Sequence, residues 1–252
     1  MSEFLEVHRD NAQALIEESV PLAIEGQLSY ADLLELCERY RIFAIASLLL
    51  DADPAALHAG LHDGACAFKH GIGRVDRRQI VLSQAAPLFD AIACRHTVLA
   101  AEIAASLAAP WQSDVEYQDD YLYYSVARQW VLAGELDAEV GQAVDALAAV
   151  ASPTEPRLLV WQALRARDAV AFEGALLELL DGHERRYQML VDRGRLLDEV
   201  AATLPFISVE GLALLRIAEA TDIELEEDYP FIPSFARGDF TASFSEGAWR
   251  RR

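Results

Sequence analysis

Residues 168–188 read DAVAFEGALLELLDGHERRYQ, and the spacing of their apolar side chains decides the fold class. Phe172, Leu176, Leu179, Leu180, His183 and Tyr187 recur at steps of three and four, which gathers them on one face of an α-helix. Glu178, Asp181, Glu184 and Arg185 fall mostly off that stripe, as a helix packed on one side requires. The same period continues outward in both directions, and strand-like alternation bounded by turn residues is hard to find. The sequence therefore predicts an all-α chain, either a multi-helix bundle or stacked antiparallel helical hairpins, with no fixed repeat that identifies a named solenoid.

Toward the N-terminus, a helix is expected from Phe4 to Ile24, with Pro21 kinking or ending it. A second starts at Ser29, where Ser29 and Asp32 suggest a cap, and a third at Asp53-Pro54, with Leu57, Leu61, Ala65 and Phe68 on one face. A loop at Gly71 and Gly73 leads to further helices between Asp76 and Ala109. Ala109-Pro110 then breaks the pattern, and the polar, acidic stretch from Trp111 to Asp120 marks a boundary or an exposed connection. This divides the chain into an N-terminal helical part, 1–110, and a C-terminal helical part, 111–252, read together as one compact domain. Gly134 and Asp137 separate the arms of a helical hairpin, a helix resumes after Ser152 to Pro156, and the last one starts near Ser208. Asp222 to Arg252 is acidic, aromatic and irregular, with Pro230 and Pro233, and reads as a tail folded back onto the helices.

Composition narrows the function. Hydrophobic residues make up 53% of the 252 residues, against 13 Gly and 9 Pro, which favours a packed helical core. Lys plus Arg total 21 and Asp plus Glu 41, and Lys69 is the only lysine. A formal charge of −20 repels nucleic acid and anionic membranes and suits a basic partner, although surplus acid also keeps an apolar-rich protein soluble. Cys37, Cys66 and Cys94 are far apart and sit in helical patterns, as reduced core thiols do. Met1 to Asp10 is acidic and mixed rather than basic then apolar, and no uncharged run reaches the roughly 18 residues a bilayer needs, so a cytoplasmic location is expected.

The search for chemistry yields little. His58 and His62 share a helix face with Asp63 and His70 nearby, but Ala59 stands where a zincin has glutamate, so a polar helix face is preferred to a metal-dependent hydrolase. No phosphate loop, nucleophile elbow or Glu-x-x-His pair occurs, and no catalytic residue, metal or cofactor is assigned. Two acidic runs are more informative. Asp114, Glu116, Asp119 and Asp120 interleave with Tyr117, Tyr121, Tyr123 and Tyr124, while Asp222, Glu224, Glu226, Glu227 and Asp228 precede Tyr229 and Phe231. Neither run holds a basic residue, and exposed tyrosine among carboxylates suits a protein interface. The candidate contacts are Asp114, Glu116, Asp119, Asp120, Tyr121, Glu224, Glu226, Glu227, Asp228 and Tyr229; against this, Tyr123 could pack in the core with Ala127 and Trp130 while the acids solvate a loop.

Several stretches resemble one known family. Asp168-Ala169-Val170-Ala171-Phe172-Glu173-Gly174-Ala175-Leu176, followed by His183 and Tyr187, is similar to a helix of the Immunity protein 49 family, helical immunity proteins of bacterial polymorphic toxin systems. Leu204-Pro205 through Leu212-Ala213-Leu214-Leu215, ending in Glu227-Asp228-Tyr229-Pro230-Phe231-Ile232-Pro233, resembles its closing helix and tail. Asp119-Asp120-Tyr121 leading to Leu132-Ala133-Gly134-Glu135 fits the same scheme, so the resemblance covers 117–233. It implies a protein that binds and neutralises one cognate toxin, which agrees with the missing catalytic motifs and with a charge that argues against nucleic acid and membrane partners. The runner-up is a helical scaffold or adaptor that binds peptides.

Overall fold

Local capping chemistry starts half of the helices. At Ser29 the hydroxyl accepts from the Asp32 amide at 3.2 Å while the Asp32 carboxylate accepts from the Ser29 amide at 3.1 Å, a reciprocal box that satisfies two otherwise orphaned donors. Asp53, Asp137, Asp168 and Ser208 also cap helices, each side chain accepting from backbone amides two or three residues on. In the computed structural model, which describes residues 2–238, 244–245 and 247–251, the helices run in order. They are α1 (Ser2–Glu25), α2 (Tyr30–Asp51), α3 (Pro54–Ile72), α4 (Pro87–Ala93), α5 (Thr97–Ser106) and α6 (Gln118–Ala133). Then come α7 (Ala138–Ala148), α8 (Pro156–Ala166), α9 (Ala169–Asp192), α10 (Asp198–Ala201), α11 (Val209–Ala220) and α12 (Ser234–Arg237). Short 3-10 turns lie between some of them, and no strand occurs among the described residues, so the fold is all-α.

Chain neighbours pack in pairs, α1 on α2, α2 on α3, α6 on α7 and α8 on α9, while α11 crosses back to lie against α4. That crossing joins the two ends of the chain through one continuous apolar cluster from Ala12 to Trp249. Trp161, Phe172, Tyr123, Phe89, Tyr40 and Trp249 are among its largest buried side chains. Pro21 does not end α1, which continues to Glu25 with Val20 and Ala23 buried on either side. Asp198–Ala220 is apolar over 23 residues, but it is divided into α10, a 3-10 turn and α11, and 72% of its most apolar window is buried. Its hydropathy belongs to the core.

Trp111–Glu116 is not a free connection. Gln112 Nε2 donates to the Ile80 carbonyl at 2.6 Å, and the Glu116 carboxylate accepts from the Ser83 amide at 3.0 Å, which pins the segment to the N-terminal part. The C-terminal tail folds back as expected where it is described: the Tyr40 hydroxyl donates to the Trp249 carbonyl at 2.6 Å, and Ile232 and Ala236 are fully buried. Residues 239–243, 246 and 252 of that expected tail lie outside the described residues.

Glycine sets the approach of α2 to α3. A Cβ on Gly60 would lie 2.5 Å from the Ala44 Cβ and 3.2 Å from its Cα, so Gly60→Ala forces two helix backbones apart and is expected to cost about 1–3 kcal/mol. Gly174, inside α9, has nothing within 4 Å of an added Cβ, and Gly174→Ala is expected to stabilise by about 0.5–1 kcal/mol. Urea unfolding of the two variants measures this opposite pair of signs.

Candidate functional site

A cleft of about 670 Å³ lies where α2, α6, α8, α9 and the start of α11 meet. Its position follows from the crossing of α11: the turn that leads into α11 brings Ile207, Ser208 and Glu210 beside Tyr124 of α6 and His183 of α9. Arg41, Arg157 and Arg186 reach it from three different helices.

Two of these charges are paired. Arg41 donates from Nε and Nη2 to Asp90 Oδ1 at 2.9 and 2.7 Å, and Asp90 is 1% exposed. Burial raises the Asp90 carboxyl above its ordinary value, and the guanidinium offsets this only in part. Arg157 donates to Asp120 at 2.8 Å, sets its Nε 3.4 Å from Glu210, and stacks over the Tyr123 ring at 4.8 Å. Sequence reasoning passed over these arginines. Arg41 follows Glu38-Arg39-Tyr40 and so reads in the sequence as one more charge of a polar helix face.

The first acidic run lies along one side of this cleft but is not uniformly exposed. Asp114 and Asp119 face solvent and Tyr117 is 79% exposed, whereas Glu116 is buried with its carboxylate accepting from the Ser83 and Gln112 amides. Asp120 is committed to Arg157, and Tyr121 is half-buried with its hydroxyl donating to the Ala109 carbonyl at 3.3 Å. The expectation of exposed tyrosine is corrected at Tyr123 and Tyr124, which pack edge-on to each other in the core, their centroids 5.7 Å apart. Aromatic area at helical spacing is worth more buried than solvated, so the helix face wins over the surface reading.

The second run is folded by a cation from outside it. Arg237 donates to the Glu226 and Glu227 carbonyls, and Asp228 accepts from the Ser234 amide at 2.8 Å. The side chains of Glu224, Glu226, Glu227 and Asp228 remain exposed, while Tyr229 is buried and donates no surface to a partner. Phe231, at the end of this run, packs against His183 with ring centroids 5.3 Å apart, which brings the tail to the edge of the cleft.

The α3 histidines are not a solvated polar face. His58 and His62 are 4% and 2% exposed: His58 Nε2 donates to the Ala236 carbonyl at 2.9 Å, and His62 stacks on Phe244 at 4.4 Å. Among the described residues no group of three His, Cys, Asp or Glu side chains is arranged to hold a metal. Cys37, Cys66 and Cys94 are buried free thiols.

Burial lowers the His58 imidazole to about 4, the Ala236 carbonyl offsetting only part of the shift. An unfolded histidine binds its proton near pH 6.5, so the unfolded chain takes up protons before the native one does. The stability owed to neutral His58 is complete above that value and drains away as pH falls toward about 4. Urea unfolding at pH values between about 7 and about 5 is expected to show this slope, and His58→Gln to flatten it.

The family model for Immunity protein 49 matches residues 55–236, a span that holds α3 to α12, most of the cleft lining and both acidic runs. No curated protein and no solved structure matches the chain.

Proposed function

Because the chain belongs to the Immunity protein 49 family, we propose that it binds a cognate protein toxin in the cytoplasm and neutralises it without catalysis, by covering the toxin's active site. The family match over most of the chain carries this reading. Three properties support it. The charge of −20 suits a toxin with a basic surface, Asp114, Tyr117 and Asp119 are exposed together, and the solvent-facing acids of 224–228 give a second contact region.

The acids differ in what the fold asks of them. Asp120 and Glu116 hold the fold, so charge reversal there disturbs the protein itself. Asp114→Lys with Asp119→Lys, or Glu226→Lys with Glu227→Lys, changes exposed carboxylates that make no ion pair with a described residue. The test is binding to the toxin encoded beside the gene, together with protection of cells that express it. A one-to-one complex of nanomolar affinity, about −12 kcal/mol, is expected, with association slowing as salt rises. Each double reversal is expected to weaken binding about tenfold, near 1.4 kcal/mol, with the unfolding midpoint unchanged. Unchanged affinity in both variants removes the acidic runs from the interface. Absence of a neighbouring toxin, with capture of many peptides instead, moves the assignment to the scaffold.

A further inference from the structure

Several hydrogen-bond donors that line the cleft have no acceptor among the described residues. Tyr124 is only 9% exposed and lines the cavity, yet its hydroxyl bonds to no described residue and is not among the polar atoms sealed from solvent. Arg41 spends Nε and Nη2 on Asp90, and its Nη1 has no acceptor among the described residues. Arg157 spends Nη1 on Asp120 and places Nε at Glu210, which leaves Nη2 in the same condition. Arg186 makes no ion pair with a described residue and lies over the Tyr187 ring at 6.0 Å.

The nearby carboxylates do not close this account. Glu116 is taken by two backbone amides, Asp120 and Glu210 both pair with Arg157, the buried Glu210 Oε1 making no hydrogen bond to a described residue, and Glu38 stands at the exposed rim. Burial, with Glu210 next in weight, holds the Tyr124 phenol well above its ordinary value, so it stays a donor at neutral pH. The Tyr124 hydroxyl opens onto the cleft, and guanidinium groups from three helices line the same cleft. We propose that this cleft is a binding site for an oxyanion, a phosphate or carboxylate group, held by the Tyr124 hydroxyl and the remaining N–H groups of Arg41 and Arg157 inside it and of Arg186 at its exposed rim.

Guanidinium groups match the paired oxygens of both anions, and charge-assisted bonds to them are about twice as strong as neutral ones. The charge of −20 does not forbid such a ligand, because at physiological salt it is screened beyond about 8 Å while the donors act in contact. A cavity of about 670 Å³ has room for a larger molecule that carries the group. The site goes beyond the toxin-binding reading and does not depend on it.

The test is a titration of the full chain with inorganic phosphate and, separately, with acetate, each against sodium chloride at equal ionic strength, following the thermal midpoint. A ligand that binds only the native state raises the midpoint saturably. A rise with phosphate alone assigns a phosphorylated ligand, and a rise with acetate, alone or equally, assigns a carboxylate such as an acidic side chain. Tyr124→Phe and Arg186→Gln are expected to weaken the anion about tenfold each while leaving the midpoint in chloride nearly unchanged. No rise beyond chloride in either titration, or a rise that survives both substitutions, overturns the proposal. No toxin is present, and the Asp114 and Asp119 variants keep all four donors, so this result and the toxin result are independent.

Discussion

Arg41→Ala is expected to lower the free energy of unfolding by about 3–5 kcal/mol, because it strands a buried carboxylate. Asp90 sits in α4 at 1% exposure, and the Arg41 guanidinium is the only ion-pair partner it has among the described residues. Its raised folded pKa means that ionised Asp90 is a cost at neutral pH: the stability linked to its proton is present below the unfolded value and lost as pH rises through the folded one. The guanidinium limits that cost. Without it the carboxyl titrates still higher, so the deficit of the variant is expected to be largest near neutrality and to shrink in acid, where Asp90 takes a proton. Arg41→Met with Asp90→Leu removes both charges and is expected to recover most of the loss, since apolar replacement of a buried pair is often neutral. Urea unfolding of the single and double variants measures both terms. A single-variant loss below about 1 kcal/mol would show that water reaches Asp90 and that the pair behaves as a surface one.

Phe172→Ala tests the helix stripe that defines the fold. Phe172 is fully buried in α9, where it belongs to the core with Leu176 and Leu180, and the truncation is expected to cost about 3–5 kcal/mol. Two residues earlier, Val170 is 82% exposed, and Val170→Ala is expected to change stability by less than about 0.5 kcal/mol. The contrast separates packing from helix propensity, since both residues sit in the first turn of one helix. Comparable losses at the two positions would mean that α9 does not present the face its period implies.

The helical period of 168–188, the caps at Ser29 and Asp53, and the hairpin signals at Gly134 and Asp137 were all legible because each is written within a few residues. The acidic runs were legible as charge but not as surface. Asp120 and Glu116 look the same as Asp114 and Asp119 in the sequence, yet the first two are internal ties and the last two face solvent. The α3 histidines show the same gap: their spacing on one face was clear, but the tail that buries them comes from more than 150 residues away, as the His58 bond to Ala236, 178 residues on, records.

The sequence by itself determined that this chain is helical, where most helices begin, which faces are apolar and which family it resembles, because caps and periodicity act over one or two turns. Only the tertiary structure decided that Arg41 meets Asp90, that Arg157 meets Asp120, and that three arginines and a buried phenol share one cleft. Those encounters depend on the return of α11 to α4 and on the order in which helices pack, and no local spacing encodes them. A charge finds its partner through the fold, so the difference between a structural carboxylate and an available one is a tertiary property.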